Sequence, residues 1–170
     1  ARWRRLYGVF LMSSKLEKVG ACVFDAYGTL FDVTAAAAHC KNELGNKWEK
    51  LADVWRMKQL NYTWLRSLMG EYVGFLQVTE DALDFAMETL DIDNEALKQR
   101  LMSLYEELDA YPEVPEVLQK LKERGITTAI LSNGTAQMLG AAVRSAGIES
   151  YLDHGLFQIP ELGPQVPQQK

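Results

Sequence analysis

Residues 22–32 read CVFDAYGTLFD: an apolar run, Cys22 to Phe24, stops on an acid, Asp25, and the chain then passes through Gly28. With Ala21 the run has the β-branched and aromatic character of a buried strand, and Gly28 supplies the backbone freedom of a turn. A strand built for burial gains nothing in packing from a terminal carboxylate. In an open parallel sheet, however, ligands sit outside the carboxyl ends of the strands, where loops and helix N-termini present backbone N–H groups. A second β-rich run, ITTAILSN at 126–133, also ends in polar residues, Ser132 and Asn133.

Between the two runs the pattern is helical. AAAAHCKNELG ends on Gly45, and the following segment spaces Trp48, Leu51, Trp55, Leu60, Trp64 and Leu68 near helical intervals, with Trp64 expected to pack structurally. Thr79 and Asp93 are N-cap candidates for two further helices. After Pro112 and Pro115, EVLQKLKERG reads as an amphipathic helix stopped by Gly125, and AQMLGAAVRSAG as another stopped by Gly147. The order strand, helical block, helix, strand, helix predicts an α/β fold: an open parallel sheet with a helical insertion after its first strand. Beyond Asp153 a proline- and glutamine-rich segment offers no clear helix or long strand.

The 170 residues fit one ordinary domain, and 48% apolar with 24% charged residues describe a globular chain. A net charge of −5 with scattered Lys and Arg gives nucleic acid no electrostatic footprint. No run approaches the roughly 18 apolar residues of a membrane span. The opening ARWRRLYGVFL, an arginine cluster before a short apolar patch, reads weakly as a targeting segment and better as residues outside the folded unit. Cys22 and Cys40 read as buried or incidental thiols of a reducing compartment, hence a cytoplasmic location, and their spacing suggests no metal site.

Asp25 alone could merely organise a turn, and Ser132-Asn133-Gly134 alone is common turn chemistry. Their joint position at strand ends favours a site. A carboxylate beside polarising donors can act as a nucleophile, forming an ester that divides one difficult displacement into two steps. Thr29 can fix the turn, Tyr27 would present its ring to the cavity, and Ser132 and Asn133 could hold an anionic group.

FDAYGTLFDV, VWRMKQLNYTWLRSLMGEY and AILSNGT together resemble signature stretches of the type II (S)-2-haloacid dehalogenases, a branch of the haloacid dehalogenase superfamily; the likeness runs over about residues 18–154. It implies a Rossmann-like core from 18–34 and 110–154, a helical cap at 35–109, an N-terminal extension at 1–17 and an irregular tail at 155–170. It implies hydrolysis of carbon–halide bonds: Asp25 attacks C2 of a short (S)-2-haloalkanoate, and water then releases the (R)-2-hydroxy acid. Arg56 matches the arginine that stabilises the departing halide, and Thr29 completes the implied catalytic set. Ala26, Tyr27, Arg56, Leu60, Phe75, Ser132 and Asn133 match substrate-binding positions, with Met57 where many relatives carry glutamine. The resemblance implies neither metal nor cofactor, a small-molecule 2-haloacid as partner with no nucleic acid or membrane, and homodimers formed through the cap helices.

Phosphatases of the same superfamily carry a second aspartate two residues after the nucleophile, to protonate an alkoxide leaving group. Tyr27 stands there, and its ordinary pKa of about 10 does not suit the task, whereas a halide needs no proton. The resemblance also implies a lysine followed by proline and a serine, asparagine and acid cluster further on. Lys170 is the only lysine after Lys122, and no such cluster follows. The expectation is a truncated core with one sheet edge and apolar surface exposed. A phosphatase and a non-catalytic truncated fragment remain the alternatives.

Overall fold

The computed structural model describes residues 18–153 and the backbone of residues 157–158. The expected extension at 1–17 and most of the expected tail lie outside these residues.

Strand β1 (Ala21–Phe24) pairs in parallel with β2 (Thr127–Ser132), from Ala21 opposite Thr127 to Phe24 opposite Ile130. On the far side of β2, a two-residue strand β3 (Phe157–Gln158) pairs in parallel with Leu131 and Ser132, within the segment expected to be irregular. Parallel pairing of β1 and β2 demands a long crossover, and the helical block between them provides it. The order β1-β2-β3 leaves β1 at the edge among the described residues. One sheet face is covered, with Thr128 and Ile130 buried, while on the other Val23 is 61% and Leu131 43% exposed. Among the described residues, therefore, β1 lies at an edge of the sheet and one face carries exposed apolar side chains.

The crossover contains α1 (Ala35–His39), α2 (Lys41–Leu44), a 3₁₀ turn at Gly45–Lys47, α3 (Trp48–Met69), α4 (Phe75–Thr89), α5 (Glu95–Glu106) and α6 (Val114–Glu123); α7 (Ala136–Ser145) follows β2. Gly125 and Gly147 adopt positive φ just past α6 and α7, as helix-stopping glycines do.

Three local expectations shift. Thr79 is not an N-cap: α4 begins a turn earlier behind Gly74, and Thr79 lies inside it, buried, its hydroxyl donating to the Phe75 carbonyl at 2.8 Å. The cap of α5 is Asn94, whose side chain accepts from Leu97 N at 3.0 Å, rather than Asp93. On α3 the buried line runs Leu51, Val54, Trp55, Gln59, while Trp64 is 60% and Leu68 84% exposed. With 3.6 residues per turn, Gln59 lies one turn beyond Trp55 on the core-facing side, and Leu60 is rotated a further 100° or so. Trp64 therefore does not pack into the core, and Trp55 does.

A single core cluster joins the two parts of the chain. It includes Ala26, Tyr27 and Phe31 after β1, Trp55, Phe75, Leu83 and Leu101 from the helical block, and Ile130, Leu139 and Ile148 from the β2–α7 unit. The loop after β1 sits where these groups meet.

Candidate active site

The chain turns sharply after β1. The Ala26 carbonyl accepts from the N–H groups of Thr29, Leu30 and Phe31 at 3.2, 2.9 and 3.0 Å, and Gly28 N–H donates to the Phe31 carbonyl at 2.9 Å. Gly28 holds φ +88°, which a residue with a Cβ rarely adopts. Two bonds tie the turn to the segment before α6: Asp32 N–H to Asp109 O at 2.8 Å and Tyr111 N–H to Leu30 O at 3.0 Å. Of the two acids in this stretch, Asp32 is committed locally, accepting from Thr34 N and Oγ1 at 2.8 and 2.7 Å. Asp25 is exposed at the strand end and no hydrogen bond to its carboxylate occurs among the described residues. Thr29 is exposed as well and enters the turn through its backbone.

Arg56 reaches this turn from α3. Its Nη2 donates to the Tyr27 carbonyl at 2.8 Å and its Nη1 to Gln59 Oε1 at 2.9 Å. Gly28 makes room for it, since a Cβ there would stand 3.0 Å from Nη2. Gln59 is 1% exposed; its Oε1 also accepts from the Tyr105 hydroxyl at 3.1 Å and its Nε2 donates to Thr79 Oγ1 at 2.7 Å. The Trp55 indole N–H donates to the Thr79 carbonyl at 2.8 Å. Sequence reading missed Gln59, Thr79 and Tyr105. A polar residue at the core-facing spacing of an amphipathic helix was the signal available for Gln59.

Tyr27 is buried, its ring 5.0 Å from Phe75 and stacked 5.7 Å from Tyr105. Its hydroxyl has no hydrogen-bond partner among the described residues. Burial, then the neighbouring Tyr105, Glu106 and Asp25, hold that hydroxyl well above its usual pKa. Burial likewise pushes Tyr105 up to about 12, partly opposed by Arg56. Both phenols are neutral at ordinary pH, so neither repels an anion. The expectation that Tyr27 presents its ring to a cavity yields to a core position, because three aromatic side chains close over it.

At the end of β2, Ser132 is buried and its Oγ accepts from Gly134 N–H at 3.4 Å, while Asn133 is exposed. Thr135 caps α7, accepting from Met138 N at 3.2 Å. Asn133 and Phe75 share a small cleft with Thr63, Arg66, Ser67 and Val78, so the end of β2 faces α3 and α4 across it. Ala26 is fully buried, Leu60 half-buried and Met57 half-exposed on α3. The turn after β1 thus gathers Asp25, Ala26, Tyr27 and Arg56, and the cleft gathers Phe75 and Asn133. Leu60 enters neither set of contacts.

A family model described as haloacid dehalogenase-like hydrolase matches residues 19–167. The chain belongs to the haloacid dehalogenase-like hydrolases. Within this family it is similar to (S)-2-haloacid dehalogenase 4A of Burkholderia cepacia, 48% identical over 81% of this chain and 60% of that protein. It is also similar to (S)-2-haloacid dehalogenase 1 of Pseudomonas sp. (strain CBS-3), 46% identical over 81% and 61% of the two chains. Among solved structures it superposes on a dehalogenase with TM-score 0.80 at 46% identity, covering 84% of this chain and 63% of the other. The L-2-haloacid dehalogenase of Xanthobacter autotrophicus, solved with chloropropionic acid covalently bound, gives TM-score 0.74 at 38% identity over 83% and 57%. This haloacid dehalogenase-like chain spans about three fifths of the length of the curated relatives it matches. Among its described residues no helix is long and apolar enough to cross a membrane.

Proposed function

We propose that this chain carries the nucleophile and halide-binding arginine of a hydrolase that removes halide from short (S)-2-haloalkanoic acids. The observation that carries the reading is Arg56 bonded to the Tyr27 carbonyl, two residues from the exposed Asp25 carboxylate. An Asp25 oxygen attacks C2 of the substrate, the carbon–halogen bond breaks, and halide departs with the bonding pair towards the Arg56 guanidinium. An aspartyl ester remains, with C2 inverted. Water then adds to the ester carbonyl, the (R)-2-hydroxy acid leaves and Asp25 is restored. Arg56 suits the halide because its charge does not titrate and it is poorly disposed to give up a proton. Thr29 steadies the turn, and Ala26, Tyr27, Ser132 and Asn133 hold the substrate carboxylate through backbone and side-chain donors. Phe75 provides an apolar wall. The helical block at 35–109 acts as a cap over the 18–34 and 110–154 core, and a cytoplasmic setting fits the free thiols of Cys22 and Cys40.

The test is halide release from (S)-2-chloropropionate in chelator by the wild type and Asp25→Ala. Release that depends on Asp25 supports the proposal, and its absence sinks the activity for this chain. Phosphate release from a monoester, abolished by chelator, would favour the phosphatase instead.

A second reading rests on exposed apolar surface. Val23 and Leu131 on the sheet, and Trp64, Leu65, Leu68 and Met69 on α3, all lie open, which suits self-association, through the helical block for an assembled enzyme or through the sheet for a non-catalytic fragment. A monomeric chain with one cooperative unfolding transition argues against the fragment reading.

A further inference from the structure

Gln59 occupies a core-facing position on α3 where the pattern of Leu51 and Trp55 calls for an apolar residue. A buried amide is costly unless its hydrogen bonds are made. Here both ends are used: Oε1 accepts from Arg56 Nη1 and the Tyr105 hydroxyl, and Nε2 donates to Thr79 Oγ1. Thr79 is itself held by its bond to the Phe75 carbonyl inside α4. Side chains from α4 and α5 therefore fix the amide, and the amide fixes one nitrogen of the guanidinium. The Tyr27 carbonyl fixes the other, and a Cβ on Gly28 would crowd it at 3.0 Å.

We propose that Gln59 is the positioning residue for Arg56, orienting the guanidinium over the turn that carries Asp25; the inference rests on the dehalogenase reading of that turn. The residue type has a physical reason. A carboxylate would accept the same bond but neutralise the guanidinium, and a neutral amide orients it while leaving its charge available to a departing anion. Two acceptors on two different nitrogens also stop the planar group from rotating, which converts a mobile charge into a preorganised one.

The test combines guanidinium nitrogen NMR with halide-release kinetics on the full chain. In the wild type, the Arg56 Nη protons, assigned by their loss in Arg56→Lys, give separate signals because rotation is hindered. Gln59→Leu merges them and lowers kcat for (S)-2-chloropropionate by about 10- to 100-fold with KM within about threefold, the signature of lost orientation rather than lost binding. Gln59→Glu keeps the signals separate yet lowers kcat by about tenfold or more through charge neutralisation. Separate signals persisting in Gln59→Leu overturn the clamp. Merged signals with unchanged kcat overturn its role in the reaction. If Gln59→Leu does not fold by circular dichroism, Gln59→Glu decides, and an unchanged kcat there overturns the proposal. A wild type that releases no halide defeats the dehalogenase reading, while the NMR comparison still decides the clamp.

Discussion

Gly134, just past β2, faces the Tyr27 ring so closely that a Cβ at this position would lie 2.7 Å from Cε2, 3.1 Å from the hydroxyl and 3.2 Å from Leu139 Cδ2. Two segments more than 100 residues apart in sequence meet here, and only a residue without a side chain lets them. Gly134→Ala must push either the ring or α7 aside. The expected cost is about 1–3 kcal/mol, the usual range for overpacking. Tyr27→Phe acts in the opposite direction: it removes a buried hydroxyl that has no partner among the described residues, and is expected to be neutral or stabilising by up to about 1 kcal/mol. Urea unfolding midpoints of the two variants check both signs.

The buried phenols make stability depend on alkaline pH. Tyr105 titrates near 12 in the folded chain against about 10 when exposed, and Tyr27 shifts in the same direction. Between these values the unfolded chain releases a proton that the folded chain keeps, so the unfolded state binds fewer protons and stability falls as pH rises. Their contribution is whole below pH 10 and is lost progressively as pH rises from there towards the folded-state value, each tyrosine adding to the loss. Urea midpoints across pH 9–11 measure the slope, and Tyr105→Phe is expected to remove one tyrosine's share. An equal slope in that variant contradicts the assignment.

Arg56→Lys keeps the charge and loses the fork. A lysine ammonium on this helix can satisfy one of the two acceptors, Tyr27 O or Gln59 Oε1, but not both in the same plane. Under the proposed mechanism kcat for halide release falls by about 100-fold, comparable to removing one fixed donor from a charge-stabilising site. Initial-rate assays with chloride detection measure it. A smaller fall, within threefold, would mean that charge alone suffices.

Asn94 and Asp93 separate the observed cap of α5 from the expected one. Asn94→Ala deletes the bond to Leu97 N–H and is expected to cost about 1 kcal/mol. Asp93→Ala is expected to stay within about 0.5 kcal/mol, the range for exposed positions without such a bond. Thermal or urea unfolding of the pair ranks them.

Much of the architecture was legible because it depends on neighbours in sequence. The runs before Asp25 and Asn133 became the parallel strands β1 and β2, and Gly125 and Gly147 ended their helices. Local signals also misled where two environments look alike in sequence. Thr79 precedes an acidic stretch as a cap would, yet its hydroxyl serves the interior of α4 and the Gln59 amide. Trp55 and Trp64 are equally apolar, and helical phase relative to α4 decides that the first is buried and the second exposed.

The sequence by itself determined that an acid terminates β1, that a polar pair terminates β2, and that a helical block lies between them, since periodicity and turn chemistry act over a few residues. Only the tertiary structure decided what stands over that acid. Arg56 meets the Tyr27 carbonyl across 29 residues of chain, and Tyr105 meets Gln59 across 46. Those contacts exist because apolar burial brings α3, α4 and α5 onto the turn. Once water is excluded there, the polar groups of Gln59, Thr79 and Tyr105 that the helices carry inward are satisfied by pairing with one another.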